Sequence, residues 1–413
     1  MTPFSYLDAH ASDLVELLRR LVRIPTVNPP GENYDAIVAL LMDELKAAGL
    51  GARRLVPTRA ALRAVLPREQ WAYPRVNVLG TWRVGRLQRT LHFNAHYDVV
   101  PVSDGWRHGG PFSGAEERGW VYGRGTSDMK GSIAALLLAL RALRASGVRP
   151  RLNVEVSFTA DEETDSALGA NWLVNHAPIQ PDYAVVMEGG EANQVCCGHN
   201  GVVWLEVTVH GKAAHGSQPE NGINALEKMS ALVIALDRYK KGLRSRTFLA
   251  PNGKVMVPTV NVGGVFTQGA GGKINTVPAL ARFSLDRRVL AVETLAAAER
   301  ELRAFLQSAA RAIPGCRISI AKVSESEPCF NRPRHPFFDA VAGCVSRIRR
   351  QPSQFSVSTG FNDMHFFADR FRIPTVGYGP GGQAFHAIDE RASVRELVAC
   401  AKVYADLLTT FEG

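Results

Sequence analysis

Short segments rich in β-branched residues alternate along this chain with longer apolar segments on a helical period, and one block with a different order interrupts the alternation. VNVLGTWRV and LQRTLHFNAHYDVV read as strands, MKGSIAALLLALRALRASG as a helix, and LNVEVSFTADE again as a strand. Strands that alternate with helices build an α/β sheet covered by helices on both faces. From about Val202 the order changes to strand (VVWLEVTVHG), helix (NGINALEKMSALVIALDRY), strand (TVNVGGVFTQG), strand (ALARFSLDRRV), helix (TLAAAERELRAFLQSAARA) and strand (RISIAKV). That is the β-α-β-β-α-β arrangement of a ferredoxin-like domain. Around Phe337 to Ile348, at PTVGYG and in the closing helix VRELVACAKVYADLLTTF, the first pattern resumes. The chain therefore divides into a discontinuous domain, residues 1–200 and 326–413, and an inserted domain, residues 201–325. Ahead of the first strands stand an amphipathic helix, a proline-rich loop from Pro25 to Gly31, and a second helix ending near Gly49.

The 413 residues, 46% hydrophobic and 21% charged, supply material for two cores rather than one. No run of about eighteen apolar residues suggests a membrane span, and the N-terminus lacks the signature of a secretory leader. Six scattered cysteines without a CxxC pair are expected to be reduced, as in the cytoplasm. The formal charge of +9 comes from arginines interleaved with acids, not from one basic run, so a nucleic-acid partner is not expected.

The residues that carry chemistry sit at strand ends. In LHFNAHYDVVP, His96 and Asp98 leave the same face of a strand, a spacing that suits a metal-bound imidazole whose other nitrogen donates to a carboxylate. The same spacing also suits a strand-end histidine beside a turn aspartate. GRGTSDMKG sets Asp128 directly before an apolar helix, as a ligand or as a plain helix cap. SFTADEET ends a strand with Glu162 and Glu163, a pair in which one carboxylate can ligate an ion while the other serves as general base. VVMEGG adds Glu188, and GYGPGGQAFHAIDE adds His386 after a glycine-rich loop. Two histidines and three carboxylates suit a pair of Zn²⁺ ions roughly 3.5–4 Å apart, one carboxylate bridging. Mixed N/O sites of this kind also accept Mn²⁺ or Co²⁺.

In their order and spacing, RIPTVNPPG, HYDVVP, GRGTSDMKG, TADEE, GKAAHGSQPENGINA and the late His386 resemble the M20 metallopeptidases, over nearly the whole chain. The resemblance implies a zinc-exopeptidase-like catalytic domain with a mixed sheet between helices, and an inserted lid and dimerisation domain. It implies that His96 and Glu188 hold one ion, Glu163 and His386 the other, with Asp128 bridging and a cis peptide at Asp128–Met129. Glu162 becomes the general base, and Asp98 orients His96. His215 matches a histidine that reaches across a homodimer interface to stabilise an oxyanion, while Asn275 and Arg288 match positions that contact substrate. The function implied is hydrolysis of an N-acyl amino acid or related amide.

Two departures bear on the substrate. Glu188-Gly189-Gly190 stands where many members have Glu-Pro-Thr or Glu-Pro-Ser, and Asn362-Asp363 where many have Thr-Asp. Exopeptidase or dipeptidase action at the same centre stays open because the bond broken is chemically the same, and the departures add hydrolysis of a formamide or aryl amine as a further alternative. A binding protein without catalysis is disfavoured by the complete ligand set.

Overall fold

All seven residues of the strand Thr90–His96 are buried, because the strand lies between two parallel neighbours, Asn153–Thr159 and Tyr183–Val186. A strand covered on both faces reads as a near-continuous apolar run, which is what LHFNA and VEVSF show. The computed structural model describes residues 1–86, 88–267 and 273–413. Leu87, in the segment expected to lead into this strand, and residues 268 and 269 of TVNVGGVFTQG lie outside the described residues.

The described chain forms two compact units. One comprises Met1–Cys197, Asn331–Ser356 and Asn362–Gly413; the other comprises Gly198–Phe330 and Val357–Phe361. In the first unit the strands run in the order Gly51–Leu55, Asn77–Trp82, Asn153–Thr159, Thr90–His96, Tyr183–Val186, Thr375–Gly377, Gln194–His199. The three strands in the middle of this order, together with Thr375–Gly377, pair in parallel; Gly51–Leu55 and Asn77–Trp82 run antiparallel at one side. The helix Lys130–Ala145 is buried along almost its whole length and packs against the helices Ala11–Val22 and Val394–Thr410. Its leucines therefore face protein on every side, not along one stripe.

A second, small sheet was not foreseen from the sequence. Gly382–Gln383, Arg391–Ser393, Trp120–Tyr122 and Ala115–Glu117 lie side by side, all antiparallel. Strands of two or three residues carry no readable alternation. They matter because they fix the loop bearing His386 beside the segment that leads to Asp128.

In the second unit, Gly201–His210, Thr259–Thr267, Leu280–Val289 and Arg317–Ser326 make a four-stranded antiparallel sheet, with helices Ala225–Leu243 and Leu295–Ala312 joining them in the order β-α-β-β-α-β. Val203, Leu205, Val207, Val209, Phe283 and Leu285 alternate onto one face and form its core with Leu232, Leu236, Leu302 and Leu306 of the helices. The period of two in the strands and of three to four in the helices produces that core directly.

Candidate metal centre and its comparisons

The centre is assembled from five places in the first unit. His96 ends the central strand, Asp128 precedes the long buried helix, Glu162 and Glu163 follow the strand Asn153–Thr159 in a short 3₁₀ turn, Glu188 follows Tyr183–Val186, and His386 lies in the loop between the small-sheet strands. These are the loop positions at strand ends where sheets of this class place their sites.

Asp128 sits between the two imidazoles. Its Oδ1 is 3.0 Å from His96 Nε2 and its Oδ2 is 3.1 Å from His386 Nε2. It does not cap the following helix, whose N-cap is Met129 with no side-chain bond, so the plain capping role fails. The Asp128–Met129 peptide is cis, as the resemblance implies. Around this axis Glu188 Oε2 and Glu162 Oε2 each lie 3.9 Å from His96 Nε2, and Glu163 Oε2 lies 3.3 Å from His386 Nε2. His96, Asp128 and Glu163 present ligand atoms all within 4.8 Å of one another.

The carboxylate of Asp98 is not the nearest acceptor for His96, contrary to the expectation from their spacing. The imidazole Nδ1–H donates to the Asp98 backbone carbonyl at 3.0 Å, nearer than the carboxylate at 3.4 Å. With Nδ1 so engaged, Nε2 is the ring nitrogen turned toward Asp128, at 3.0 Å from its Oδ1, and it is the one available to a cation there. The Asp98 carboxylate instead accepts the backbone N–H groups of Glu162 and Glu163, each at 3.2 Å. One side chain thus fixes both the histidine strand and the acidic turn.

The electrostatics are those of too many acids in too little water. Burial first, then neighbouring carboxylates, push Glu162 and Glu188 well above the ordinary range, and burial with Asp128 nearby lifts Glu163 to about 6. Against its own burial, Asp128 is held well below that range by its bonds to His386 and His96. The bonds from Asp128 and Glu163 raise His386 to about 10. Glu163 Oε1 is buried and makes no hydrogen bond among the described residues. An orphaned buried carboxylate oxygen is costly unless something positive meets it. Four crowded acids, two imidazoles on either side of one of them and that orphaned atom fit divalent cations, and the hard oxygen and imidazole donors suit zinc-like ions.

His386 and Ala384 adopt left-handed backbone conformations, with φ of 57° and 60°. For residues with a Cβ this costs on the order of 1 kcal/mol each and is concentrated where a side chain must be aimed.

His215, Asn275 and Arg288 belong to the second unit. His215 is exposed, and its Nδ1 meets Ser217 Oγ at 2.7 Å and accepts the Ser217 backbone N–H at 3.2 Å, which leaves Nε2 as the donor nitrogen. Gly216 N–H donates to the Asn275 carbonyl at 2.7 Å, so the loops carrying His215 and Asn275 are joined. Arg288 grips Asp286 through two nitrogens, Nε at 2.9 Å and Nη2 at 3.0 Å.

Several residues that brace the centre were not singled out from the sequence. Arg75, fully buried, meets Asp161 at 2.5 Å and donates to the Pro30 and Tyr73 carbonyls. Glu390 accepts the N–H groups of Ser127 at 2.9 Å and Asp128 at 3.2 Å, and holds Arg124 at 2.5 Å. Lys130 donates to the Leu21 and Ile24 carbonyls. None has a signal beyond its presence near a motif, since Asp161, Leu21, Ile24 and the Ser127–Asp128 segment are remote in sequence from the residues that hold them.

The model of peptidase family M20/M25/M40 matches residues 92–410. The chain belongs to that family. Like its relatives, this M20 chain is a metal-dependent hydrolase acting on amide bonds. A succinyl-diaminopimelate desuccinylase of Methylocella silvestris is 29% identical over 97% of this chain and 98% of its own. Among solved structures, human carnosine dipeptidase 1 superposes with a TM-score of 0.75 at 18% identity, covering 98% of each chain. A dinuclear metal binding M20 peptidase of Bacillus subtilis superposes at 0.67 with 14% identity, covering 97% of this chain and 98% of its own. Both solved structures share the fold of this M20 chain, a mixed sheet between helices. No helix among the described residues is long and apolar enough to cross a membrane.

Proposed function

We propose that this M20 chain hydrolyses the amide bond of an N-acyl amino acid or a closely related amide, with Glu162 as general base. The observation that carries the reading is the placement of Asp128 between His96 and His386 with Glu188 and Glu163 flanking the two imidazoles. His96 and Glu188 would hold one divalent cation, Glu163 and His386 a second, and Asp128 both; Zn²⁺ is the first candidate and Mn²⁺ or Co²⁺ the others. Such cations, when bound, bring a water's pKa down to about 7 and polarise a carbonyl.

The protein's own residues supply the rest. Glu162 is assigned no ligand bond; its Oε2 lies 3.9 Å from His96 Nε2, as does that of Glu188, so it stands within the same cluster. Burial keeps that carboxylate more basic than an ordinary glutamate, which suits it to accept a proton from water and return it to the leaving nitrogen. Asp98 anchors the turn by its bonds to the N–H groups of residues 162 and 163. His215, with its proton on Nε2, is assigned the oxyanion of the tetrahedral intermediate, given by a second copy of the chain in a homodimer. Asn275 and Arg288 are assigned to the substrate's polar ends, and Arg288 must then exchange its grip on Asp286 for a carboxylate. The six cysteines form no disulfide, which supports a reducing, cytoplasmic setting.

Glu162→Gln tests the assignment. Turnover should fall by several orders of magnitude while the metal content, read by plasma mass spectrometry, stays at the wild-type level. Substantial residual rate would remove Glu162 from the role. Dipeptides, formamides and aryl amines in the same panel decide between deacylation and the alternatives that share this chemistry.

A further inference from the structure

A cavity of about 340 Å³ opens in the first unit, at the end of the sheet opposite the metal centre. Gly49, just past the helix Tyr34–Ala47, bounds one side of it, and Trp82 and Arg83, at the end of the strand Asn77–Trp82, bound another. The last turn of the helix Lys130–Ala145 and the loop after it, as far as Arg149, complete the wall. Trp82 pairs with Val154 near the start of the strand Asn153–Thr159, whereas Glu162 and Glu163 follow that strand's other end. A strand of seven residues separates its ends by roughly 20 Å, so the cavity takes no part in the metal centre.

The lining is cationic. Arg83, Arg144 and Arg149 face the cavity, and no acid among the described residues lines it. Arg83 is committed to the buried Glu155, at 3.0 Å. The side chains of Arg144 and Arg149 have neither an ion pair nor a hydrogen bond among the described residues. Neighbouring cations differ: Arg141, one turn earlier on the same helix, meets Glu44, as does Arg20, and Arg54 meets Asp35. An arginine in a last helical turn commonly serves the helix end. Here the carbonyls of Ala142, Leu143 and Arg144 already accept the N–H groups of Ser146, Val148 and Gly147. The Arg144 side chain is laid across Gly49 instead, where a Cβ would stand 3.1 Å from its Nε and 3.4 Å from its Cζ. Gly49, with a φ of 83°, both makes its turn and clears room for that guanidinium.

Unpaired guanidinium groups around one hollow repel each other and attract an anion, and their fork of donors matches phosphate oxygens in pairs. A phosphate monoester carries roughly −1.5 to −2 charge at pH 7. Trp82, part-buried in the wall, adds a ring face on which a planar group can stack. The volume falls within the roughly 300–1,000 Å³ of small-molecule sites and exceeds what a bare ion fills.

We propose that this cavity binds a small phosphate monoester bearing a planar group, of nucleotide size, with Arg144 and Arg149 on the phosphate and Trp82 against the ring. The inference is independent of the amide-hydrolase reading.

Calorimetric titration of the metal-loaded, full-length protein at low salt tests it with AMP, ribose 5-phosphate, adenosine, inorganic phosphate and citrate. AMP should bind one to one and at least about tenfold more tightly than any of the others. Arg144→Ala and Arg149→Ala should each weaken AMP at least about tenfold. Arg395→Ala, at an exposed arginine outside the cavity, should leave AMP binding unchanged. Trp82→Leu should remove most of the advantage of AMP over ribose 5-phosphate. Circular dichroism establishes that each variant is folded. No saturable binding of AMP would overturn the site. So would AMP binding undiminished in the Arg144→Ala, Arg149→Ala double variant, which would place the anion elsewhere, on the bound cations first of all. Citrate bound as tightly as AMP would overturn the phosphate-and-ring selectivity. A single-stranded RNA oligonucleotide bound more tightly than AMP through the same arginines would overturn the small-molecule class.

Discussion

Asn28 donates from its side-chain amide to Asp98 Oδ2 at 2.9 Å, tying the proline-rich loop near the N-terminus to the strand end that carries His96. The same nitrogen is 3.1 Å from Asp161 Oδ1 and 2.9 Å from Thr164 Oγ1, so it also holds both ends of the turn bearing Glu162 and Glu163. Arg75 backs the arrangement, meeting Asp161 and Asn28 Oδ1 from behind. A segment outside the candidate metal centre thereby holds the turn that carries Glu162, the proposed general base.

Asn28→Leu removes a buried donor and leaves two carboxylates short of a partner. The expected loss of stability is about 1–3 kcal/mol, the usual cost of orphaned buried polar groups. The turn should loosen as well, so kcat is expected to fall at least about tenfold with a smaller change in KM. Urea unfolding and steady-state kinetics on one preparation check both. An unchanged kcat in a destabilised variant would show that the bond is structural only.

Glu390 offers a second test of bracing. It is fully buried, and one carboxylate serves two backbone N–H groups and Arg124. Glu390→Ala leaves those donors unmet next to Asp128, and metal affinity should weaken about 10- to 100-fold, as happens when the partners of ligands are removed. Competition with a chromophoric chelator measures this directly. Affinity within twofold of wild type would mean that the Asp128 loop is held by other contacts.

What could be read from the sequence and what could not divides along chain distance. His96, Asp128, Glu162, Glu163, Glu188 and His386 each follow a recognisable strand or loop within a few residues, so local pattern and motif order reach them. The β-α-β-β-α-β order after Val202 is equally local. Asn28, Arg75 and Glu390 meet Asp98, Asp161 and Asp128 across roughly 70 to 260 positions, and no periodicity announces a pairing across such gaps. The small sheet escapes for the same reason, its strands joining residues 115–122 to residues 382–393. Asp128 reads in sequence as a cap or as a ligand because both precede a helix; that it leaves the helix uncapped and lies between two imidazoles is visible only in three dimensions.

Gly169 lies where the acidic turn returns to the helix Ala170–His176, and a Cβ there would fall 1.7 Å from the Ala160 carbonyl oxygen. Backbone cannot yield as a flexible side chain does. Gly169→Ala should therefore displace the segment between Ala160 and Gly169 that carries Glu162 and Glu163, costing about 1–3 kcal/mol of stability and most of the activity. Differential scanning calorimetry with a turnover assay reads both, and a variant as stable and active as wild type would show that the segment shifts freely.

His199 makes stability depend on pH for a reason unconnected with the metals. Its imidazole is fully buried at the end of the strand Gln194–His199, with Nδ1 3.0 Å from the Asn200 carbonyl. Burial lowers its pKa from 6.5 to about 4, only partly offset by that backbone contact. Between these values the unfolded chain takes up a proton that the folded chain refuses, so folding stability falls as pH falls through 6.5 and the loss is complete near 4. That difference corresponds to about 3 kcal/mol. Above 6.5 both states are neutral at this residue and the effect vanishes. His199→Leu keeps the volume and removes the proton, so its stability should decline less steeply over the same window. Guanidinium unfolding of both proteins after metal removal, at several pH values from 4 to 7, cancels the carboxylates they share. Parallel stability curves would show that His199 is protonated in the folded protein and that burial does not hold it neutral.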